Sequence, residues 1–282
     1  MTESITIRPA SSPLDYQALQ HAQRLAWGIT QEEYILPVAT MVGANLHGGL
    51  VLGAFLDDGR AVGLSFAFLG RFRDQPCLYS QLTGIVPDYQ DTGLGTRLKL
   101  AQRDFAVRAG LPGIAWAFDP LQAGNARFNL SKLGAQGVHY YVDMYGPRSD
   151  ALNRGTPTDR LLAWWPVSPL PRLPLNPADL EAWPRLLEVE GTTPRTSPFD
   201  PNAPGALIHL PDHIANLRAS SPELATTWLE RLRSAFLIAF ASDWQARDII
   251  RLPRPSGDAL FYVLRPLQPT ANEPPSNANH LT

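Results

Sequence analysis

The fold of this chain is best predicted outward from the stretch Val86-Pro87-Asp88-Tyr89-Gln90-Asp91-Thr92-Gly93-Leu94-Gly95-Thr96-Arg97-Leu98. An apolar strand ends before Pro87, a short loop follows, and apolar spacing predicts a helix over residues 94–110. Backbone N–H groups at the start of a helix have no partner within it, and the helix dipole adds partial positive charge there. Because Gly93 and Gly95 lack a Cβ atom, a ligand can approach this backbone closely. The stretch therefore predicts an anion site, and phosphate is the expected ligand.

Hydrophobic patterning on both sides of this stretch predicts a mixed sheet flanked by helices, which is an α+β (mixed α/β) fold. Thr30 and Glu33 have capping-box spacing and predict that a second helix starts there and runs to about Leu46. Asp58-Gly59 between two apolar runs predicts a hairpin. The other predicted elements are strands at residues 4–8, 77–86, 113–118, 137–146 and 158–167, and helices at residues 14–27, 94–110 and 125–133.

The composition of the chain changes after Val167, where prolines recur up to Pro177 and predict an extended connection. Beyond it the pattern predicts an additional C-terminal α+β region. Its predicted elements are a strand at 206–210, a helix from Ser221 to about Ala241, and a hairpin of strands 247–252 and 259–265. The predicted organisation is a first domain over residues 1–167, an accessory region over 168–267, and a disordered polar tail over 268–282.

Composition limits the classes of function. The formal net charge of −2 gives no reason to expect nucleic acid or an anionic membrane as partner. Cys77 is the single cysteine, which excludes an intrachain disulfide and a cysteine-rich metal site. The N-terminus lacks the features of a signal peptide and no apolar run is long enough to span a membrane, so a cytoplasmic protein is expected. A homodimer is compatible with these features.

The glycine-containing loop is neither a Walker motif (GxxxxGK[ST]) nor a dinucleotide fingerprint (GxGxxG). It matches the pattern Q/R-x-x-G-x-G/A and resembles the acyl-CoA diphosphate motif of the GNAT (GCN5-related) N-acetyltransferases. Residues 4–146 resemble a complete GNAT unit, with residues 125–135 similar to a later helix of that family. More narrowly, Asp119-Pro120-Leu121 and Thr158-Asp159-Arg160 resemble larger bacterial GNAT-like proteins associated with N-succinylamino acid racemases.

This resemblance implies the GNAT fold and an acyl-CoA co-substrate, either acetyl-CoA or another acyl-CoA such as succinyl-CoA, without a metal. It implies that backbone at Gly84, Ile85 and Val86 pairs with pantetheine, with an N–H near Ile85 facing the thioester oxygen. Asn125 is the expected contact to the pantetheine arm, unless it serves as a helix N-cap. The residues implied to hold the diphosphate are Gln90, Asp91, Thr92, Gly93, Leu94, Gly95 and Thr96.

The family's acid and base cannot be carried over to this chain. Many members have a tyrosine where this sequence has Leu130, and a glutamate on the fourth strand, which here reads Leu78-Tyr79-Ser80-Gln81-Leu82-Thr83. The remaining catalytic candidates are Asp119, His139, Tyr140, Tyr141 and Asp159. A strand histidine often only faces solvent, and tyrosines more often pack in a sheet than act in catalysis. The substrate candidates are Glu33, Asp159 and Arg160, for which a solvated helix start and a structural Asp–Arg pair are the alternatives.

Three functions are compatible with these residues. The first is an N-acyltransferase that transfers an acetyl or succinyl group to the amine of a small molecule such as an amino acid. The second is a non-catalytic acyl-CoA-binding or sensing protein, suggested by the missing tyrosine and glutamate. The third is a protein-modifying acetyltransferase, for which the sequence offers no docking feature.

Overall fold

The computed structural model of the chain describes residues 4–146, 156–168, 175–254 and 257–267. The chain forms two compact units. The first contains Met1–Trp116 and Pro166–Pro169, and the second contains Ala117–Trp165 and Leu170–Thr282. The predicted disordered tail over 268–282 lies outside the described residues, and so does most of the predicted extended connection before Pro177. The predicted domain boundary after residue 167 stays a prediction.

The first unit is a mixed sheet with helices on both faces, as the sequence predicted. Strands β1 to β4 form an antiparallel meander, and β5 then runs parallel to β4. The elements are β1 (Ile5–Pro9), α1 (Pro13–Trp27), α2 (Val38–Leu46), β2 (Leu50–Leu56), β3 (Ala61–Phe72), β4 (Gln75–Ile85), α3 (Leu94–Arg108) and β5 (Gly113–Phe118). The predicted β-α-α-β-β-β-α-β order is confirmed.

The two faces of this sheet carry different helices because neighbouring strand residues point to opposite sides. Tyr16 and Leu19 of α1 belong to a core cluster with Phe55 and Leu64 of the sheet. Leu94 of α3 packs instead with Ala54 and its neighbours Leu56 and Val62. The sheet is therefore covered by α1 and α2 on one side and by α3 on the other.

Helix α1 shows local signals that agree with its bounds. The Ser12 hydroxyl accepts a hydrogen bond from the Asp15 amide at 3.2 Å, and the Asp15 carboxylate accepts from the Ser12 amide at 3.2 Å. This reciprocal pair is a capping box, and Pro13 occupies the first turn, where a missing N–H has no cost. Gly28 closes the helix with φ of 60°, a conformation that glycine adopts readily.

The prediction that a helix runs from Thr30 to about Leu46 is wrong at its start. A short 3₁₀ turn spans Glu32–Tyr34, and α2 begins only at Val38. Pro37 explains the difference, because proline disfavours the helical conformation in the residue before it and has no N–H to donate. The predicted hairpin at Asp58-Gly59 is confirmed, with the Gly59 amide bonded to the Leu56 carbonyl at 3.0 Å.

The second unit is also a mixed sheet with helices. Its strands lie in the order β7-β6-β11-β12-β10-β8-β9. The elements are α4 (Ala123–Arg127), a π-helical turn (Phe128–Lys132), β6 (Gln136–Tyr141), β7 (Arg160–Pro166), α5 (Pro177–Ala182), β8 (Arg185–Glu190), β9 (Thr193–Thr196), β10 (Ala206–Leu210), α6 (Ile214–Ser220), α7 (Pro222–Phe240), β11 (Trp244–Leu252) and β12 (Ala259–Pro266).

Several predictions for this unit are confirmed and others need correction. The pairing of β6 with β7, the helix after Ser221 and the β11–β12 hairpin are confirmed. The strand predicted over 137–146 ends at Tyr141, where a turn with Asp143 at φ of 47° reverses the chain. Four short elements, α5, β8, β9 and α6, are not predicted from the sequence.

Within the residues that the structure describes, no helix is both long and apolar enough to cross a membrane.

Candidate active site

The predicted phosphate loop forms a tight turn between the end of β4 and the start of α3. A 3₁₀ turn spans Pro87–Tyr89, and the chain then passes through two left-handed conformations, Asp91 with φ of 59° and Gly93 with φ of 82°. Gly93 takes the N-cap position of α3, and no side chain caps the helix there. The first turn of α3 therefore begins directly after the loop with its backbone donors uncapped.

The backbone amides of this loop are open. Among the described residues, no main-chain or side-chain acceptor bonds any backbone N–H from Asp91 to Thr96. The amides on either side are used internally: Gln90 donates to the Pro87 carbonyl at 3.1 Å, and Arg97 donates to the Gly93 carbonyl at 3.2 Å. A run of consecutive open donors at a helix N-terminus is the arrangement that binds a diphosphate.

Two side chains of the loop stabilise it by donating hydrogen bonds to its own backbone. Gln90 Nε2 donates to the Ile85 carbonyl at 3.1 Å, and the Thr92 hydroxyl donates to the Tyr89 carbonyl at 2.8 Å. Thr96 differs, because its Oγ1 is buried and has no hydrogen-bond partner within the described part of the chain. Gln90 therefore supports the loop with its own donors, whereas the buried Thr96 hydroxyl has no partner among the described residues.

The carboxyl-terminal half of β4 has one edge that no strand among the described residues covers. β4 pairs with β3 over its full length, from Gln75 to Ile85. Its pairing with β5, by contrast, is confined to Leu78 and Tyr79, so the two parallel strands diverge after Tyr79. A strand edge without a partner presents free N–H and C=O groups to an extended ligand.

Strand register identifies the groups that face this edge. The Val86 amide donates to the Val62 carbonyl on β3 at 3.0 Å. Because residues of an antiparallel strand point alternately toward and away from their partner strand, the amides of Ile85 and Thr83 point away from β3. The Ile85 amide thus lies on the open edge, and its position opposite a thioester stays a prediction. The amide of Thr83, which is not among the predicted site residues, lies on the same edge.

One aromatic ring lies against this open segment. A Cβ atom added at Gly84 would overlap the ring of Trp27, at the end of α1. Gly84 therefore lets Trp27 pack directly on the β4 backbone beside Ile85. Trp27 is half-buried and was not among the predicted site residues, although a tryptophan just before a helix-ending glycine is a signal that could have drawn attention to it.

Glu33, a predicted substrate contact, is exposed on the 3₁₀ turn Glu32–Tyr34 of the first unit. Its neighbour Glu32 forms an ion pair with Arg24 at 2.7 Å. The ion pair leaves Glu33 as the second carboxylate of the turn, and Glu33 lies on this turn rather than within a helix as predicted.

Two predicted residues of the second unit are held by internal contacts. The Asp119 carboxylate accepts from the Leu121 amide at 2.9 Å and from Arg218 at 3.1 Å. Asp159 is 1% exposed, and its oxygens accept from the Tyr140 hydroxyl, the Asp143 amide and both Nε and Nη2 of Arg233. The cation paired with Asp159 is therefore Arg233 and not its sequence neighbour Arg160.

The other predicted residues of this unit lie nearer the surface. Asn125 is exposed inside α4, where its Oδ1 accepts from Asn129 at 3.2 Å, so it is not the N-cap of that helix. His139 is exposed on β6 beside the Tyr141 ring, and partial desolvation lowers the pKa of its imidazole, which favours the neutral form at pH 7. Arg160 donates to the Asp159 carbonyl at 2.8 Å.

No family model and no curated protein matches the chain. Solved structures that are similar to it include the ribosomal-protein-S18-alanine N-acetyltransferase from Escherichia coli, with 16% identity, a TM-score of 0.46, and coverage of 61% of this chain and 100% of that one. NAA60 from Arabidopsis thaliana in complex with acetyl-CoA has 16% identity, a TM-score of 0.45, and coverage of 57% and 99%. The IAA acetyltransferase from Bacillus cereus has 14% identity, a TM-score of 0.42, and coverage of 58% and 99%. Similarities this distant do not assign an activity.

Proposed function

We propose that the protein is an acyl-CoA-dependent N-acyltransferase that transfers an acetyl or succinyl group to the amine of a small molecule such as an amino acid. The observation that carries this proposal is the run of open backbone amides from Asp91 to Thr96 at the start of α3. These donors suit the diphosphate of coenzyme A, which carries negative charge and several acceptor oxygens. The Thr96 hydroxyl would add one more hydrogen bond.

The uncovered edge of β4 supports the same ligand. Pantetheine contains two amide groups and can pair with a strand edge as a further strand would. The edge begins where β4 and β5 diverge after Tyr79 and runs toward the loop, so one extended molecule can use both features. The Ile85 amide would then donate to the thioester oxygen and stabilise the negative charge that develops there.

The chemistry needs few side chains. The amine attacks the thioester carbon directly, and the main tasks of the enzyme are to position the two reactants and to polarise the carbonyl. A thiol with a pKa of about 8.5 leaves readily near neutral pH, so a dedicated acid is not required. His139, whose lowered pKa favours the neutral imidazole, and Asp119, which is bonded to Arg218, are the candidate catalytic side chains of the second unit, and neither is assigned the proton of the amine.

The acceptor contacts belong to the same proposal. Glu33 is proposed to attract the amine, and Arg160 to bind a carboxylate if the acceptor is an amino acid. Asn125 is the proposed contact to pantetheine, since its side chain is exposed on α4. Asp159 is proposed to act only through its neighbours, because its carboxylate oxygens are already occupied.

The test measures coenzyme A binding and thiol release with one matched pair of variants. Gly95→Glu places a carboxylate among the open amides, whereas Gly95→Gln adds the same bulk without charge. Both residues favour a helix more than glycine does, so folding should be preserved. We expect Gly95→Glu to weaken binding of acetyl-CoA by calorimetry about 10-fold or more beyond Gly95→Gln, since the added charge opposes the diphosphate.

Three outcomes separate the hypotheses. Thiol release with a panel of amino acids and acyl-CoA esters supports the transferase. Binding of acyl-CoA without turnover on any amine would favour the sensing protein. Equal binding by the two Gly95 variants, or no binding of any CoA ester by the unmodified chain, would refute the loop as the diphosphate site.

A further inference from the structure

Lys99 is a buried cation in the first unit that the proposed chemistry has not used. Its side chain extends from α3 toward the sheet and is 4% exposed. Its Nζ donates to the Ser80 hydroxyl at 2.9 Å and lies 3.9 Å from the centre of the Trp116 ring. No other acceptor for this ammonium is found among the described residues, and none of the side chains in contact with it is charged. Burial lowers the pKa of Lys99 to about 7.

A network of hydroxyl groups connects Lys99 to the uncovered part of β4. The Ser80 hydroxyl lies 3.5 Å from that of Thr83, which in turn lies 3.1 Å from that of Ser65 on β3. Gln102, one turn along α3, donates to both serines, at 2.5 Å to Ser65 and 3.0 Å to Ser80. The polar groups that surround the lysine from α3, β3 and β4 are therefore all neutral, and β5 contributes only the Trp116 ring.

The position of this network coincides with the opening between β4 and β5. The last paired residues are Leu78 with Ile114 and Tyr79 with Ala115. Ser80 and Trp116 are the next residues on the two strands, so the lysine contacts the side chains that mark the apex of the opening. Thr83 lies further along the uncovered edge, two residues before Ile85.

The choice of lysine at this position is itself informative. Of the 24 basic residues in the chain, only Lys99 and Lys132 are lysines, and the others are arginines. A permanent positive charge would be supplied equally by arginine, which does not lose its proton in proteins. A buried lysine with neutral neighbours is able to gain and lose a proton, and that ability distinguishes it from the residue that the chain uses elsewhere.

We propose that Lys99 receives the proton that the acceptor amine releases during acyl transfer, relayed through the hydroxyls of Thr83 and Ser80. This inference rests on the proposed function. The amine nitrogen bonds to the thioester carbon, the C–S bond breaks with its electron pair on sulfur, and one amine proton moves to Thr83 as the hydroxyl protons shift along Ser80 to Nζ. The Lys99 ammonium then returns the proton by the same route to the thiolate, and coenzyme A leaves as the thiol.

The first test is the pH dependence of turnover in the full chain. Lys99→Met removes the proton acceptor, Lys99→Arg keeps a charge that cannot titrate, and Lys132→Met is the matched control. We expect both Lys99 variants to lower kcat about 100-fold and to lose the rise of activity near pH 7, as removal of a general base does. Thr83→Val and Ser80→Ala should have the same effect on the profile with Lys99 intact. A lysine with a purely structural role would change stability or KM while the pH profile stayed the same, and that result would overturn the proposal.

The second test does not depend on turnover. Because the chain has two lysines, labelling with [¹³Cε]lysine gives two signals, and Lys132 serves as an internal reference. We expect the Lys99 signal to titrate near pH 7, to disappear in Lys99→Met, and to shift when coenzyme A is added. Titration of both lysines above pH 10, or a Lys99 signal that coenzyme A leaves unchanged while it binds, would overturn this inference alone. Absence of CoA binding would overturn the proposed function together with it.

Discussion

At the scale of single residues, the buried Lys99 ammonium lowers the free energy of unfolding of the protein. Its pKa is about 7 in the folded protein and has its ordinary value of 10.5 in the unfolded chain. The unfolded chain therefore binds more protons between these values, and the free energy of unfolding rises with pH across that window. Below pH 7 both states are protonated, and the penalty is constant.

The first prediction follows from the rise of the free energy of unfolding with pH. Lys99→Met should raise the free energy of unfolding at pH 7 by about 2–4 kcal/mol, because the cost of burying the ammonium is removed. The gain should shrink as the pH approaches 10, where the folded protein already holds a neutral amine. Urea unfolding at pH 7, 8.5 and 10 measures it, with Lys132→Met as control. A destabilised variant at pH 7, or a gain independent of pH, would contradict the prediction.

Gly84 is the second residue whose identity the packing explains. A Cβ atom at this position would overlap the Trp27 ring, and an aromatic ring cannot bend out of the way. We predict that Gly84→Ala lowers the free energy of unfolding by about 1–3 kcal/mol through overpacking. Trp27→Leu makes room, so the double variant should be more stable than the sum of the single changes predicts. Chemical denaturation of the four proteins gives the coupling, and strictly additive effects would show that the two side chains do not meet.

At the scale of elements, α1 is fixed by its own first turn and by one neighbouring strand. The Asp15 carboxylate accepts from the amides of Ser11 and Ser12 and forms a two-pronged contact with Arg8 of β1 at 2.8 Å. The Arg8 guanidinium holds the pKa of Asp15 well below its usual range. A carboxylate with a lowered pKa stabilises the fold above its unfolded pKa of about 4 and loses that effect as the pH falls further.

The third prediction uses this pH dependence. Asp15→Asn should lower the free energy of unfolding by about 1–2 kcal/mol at pH 7, since it weakens both the helix cap and the contact to the half-exposed Arg8. The difference from the unmodified protein should diminish between pH 4 and pH 3. Guanidinium unfolding over pH 3–7 measures it, and the exposed Asp57→Asn serves as control. A deficit that is the same at pH 3 and pH 7 would exclude the carboxylate as its cause.

Elements also show how far the sequence predicts this structure. The loop, the hairpin and the strands around them follow from apolar alternation and glycine positions, which act locally. The apolar spacing in the sequence predicts that one side of α3 is lined by Leu94, Leu98, Ala101, Phe105 and Ala109. The residues that α3 buries in the structure are Leu94, Leu98, Lys99, Gln102 and Ala106. Hydrophobic periodicity cannot identify Lys99 and Gln102, because their burial depends on hydroxyl partners from two other strands.

The same limit applies to the predicted site residues. The spacing of Asp159 and Arg160 suggested a local pair, but the guanidinium that binds Asp159 comes from Arg233, 74 residues further along the chain. Sequence order contains no signal for that contact. The open amides of the loop, by contrast, follow from a glycine N-cap without a capping side chain, so a short motif is enough to predict them, while their role in binding a ligand stays a prediction.

At the scale of the whole molecule, the second unit joins strands from before residue 167 to a helix from well beyond it. Arg233 of α7 binds the buried carboxylate of Asp159, whose other oxygen contacts include the hydroxyl of Tyr140 on β6. Phe236 of α7 is fully buried and stacks on Tyr140 at 5.6 Å. The core of this unit is therefore assembled from both sides of the predicted domain boundary.

The last prediction concerns that boundary. A chain ending at residue 167 would leave the Asp159 carboxylate buried without its cation and the Tyr140 ring without its cover, and a buried unpaired charge alone costs about 3–5 kcal/mol. We expect the truncated protein to be insoluble, or to lose the near-ultraviolet circular dichroism of the full chain. In the full chain, Arg233→Met should strongly lower the free energy of unfolding. Arg233→Lys should lower it less, because lysine keeps the charge but cannot make the two-pronged contact. Adding Asp159→Asn to Arg233→Met should restore part of the lost stability. A soluble fragment with native spectra would contradict this prediction, because it would show that the first 167 residues fold without the rest of the chain. The pairing of Asp159 with Arg233 would then not be needed to hold β6, β7 and α7 together.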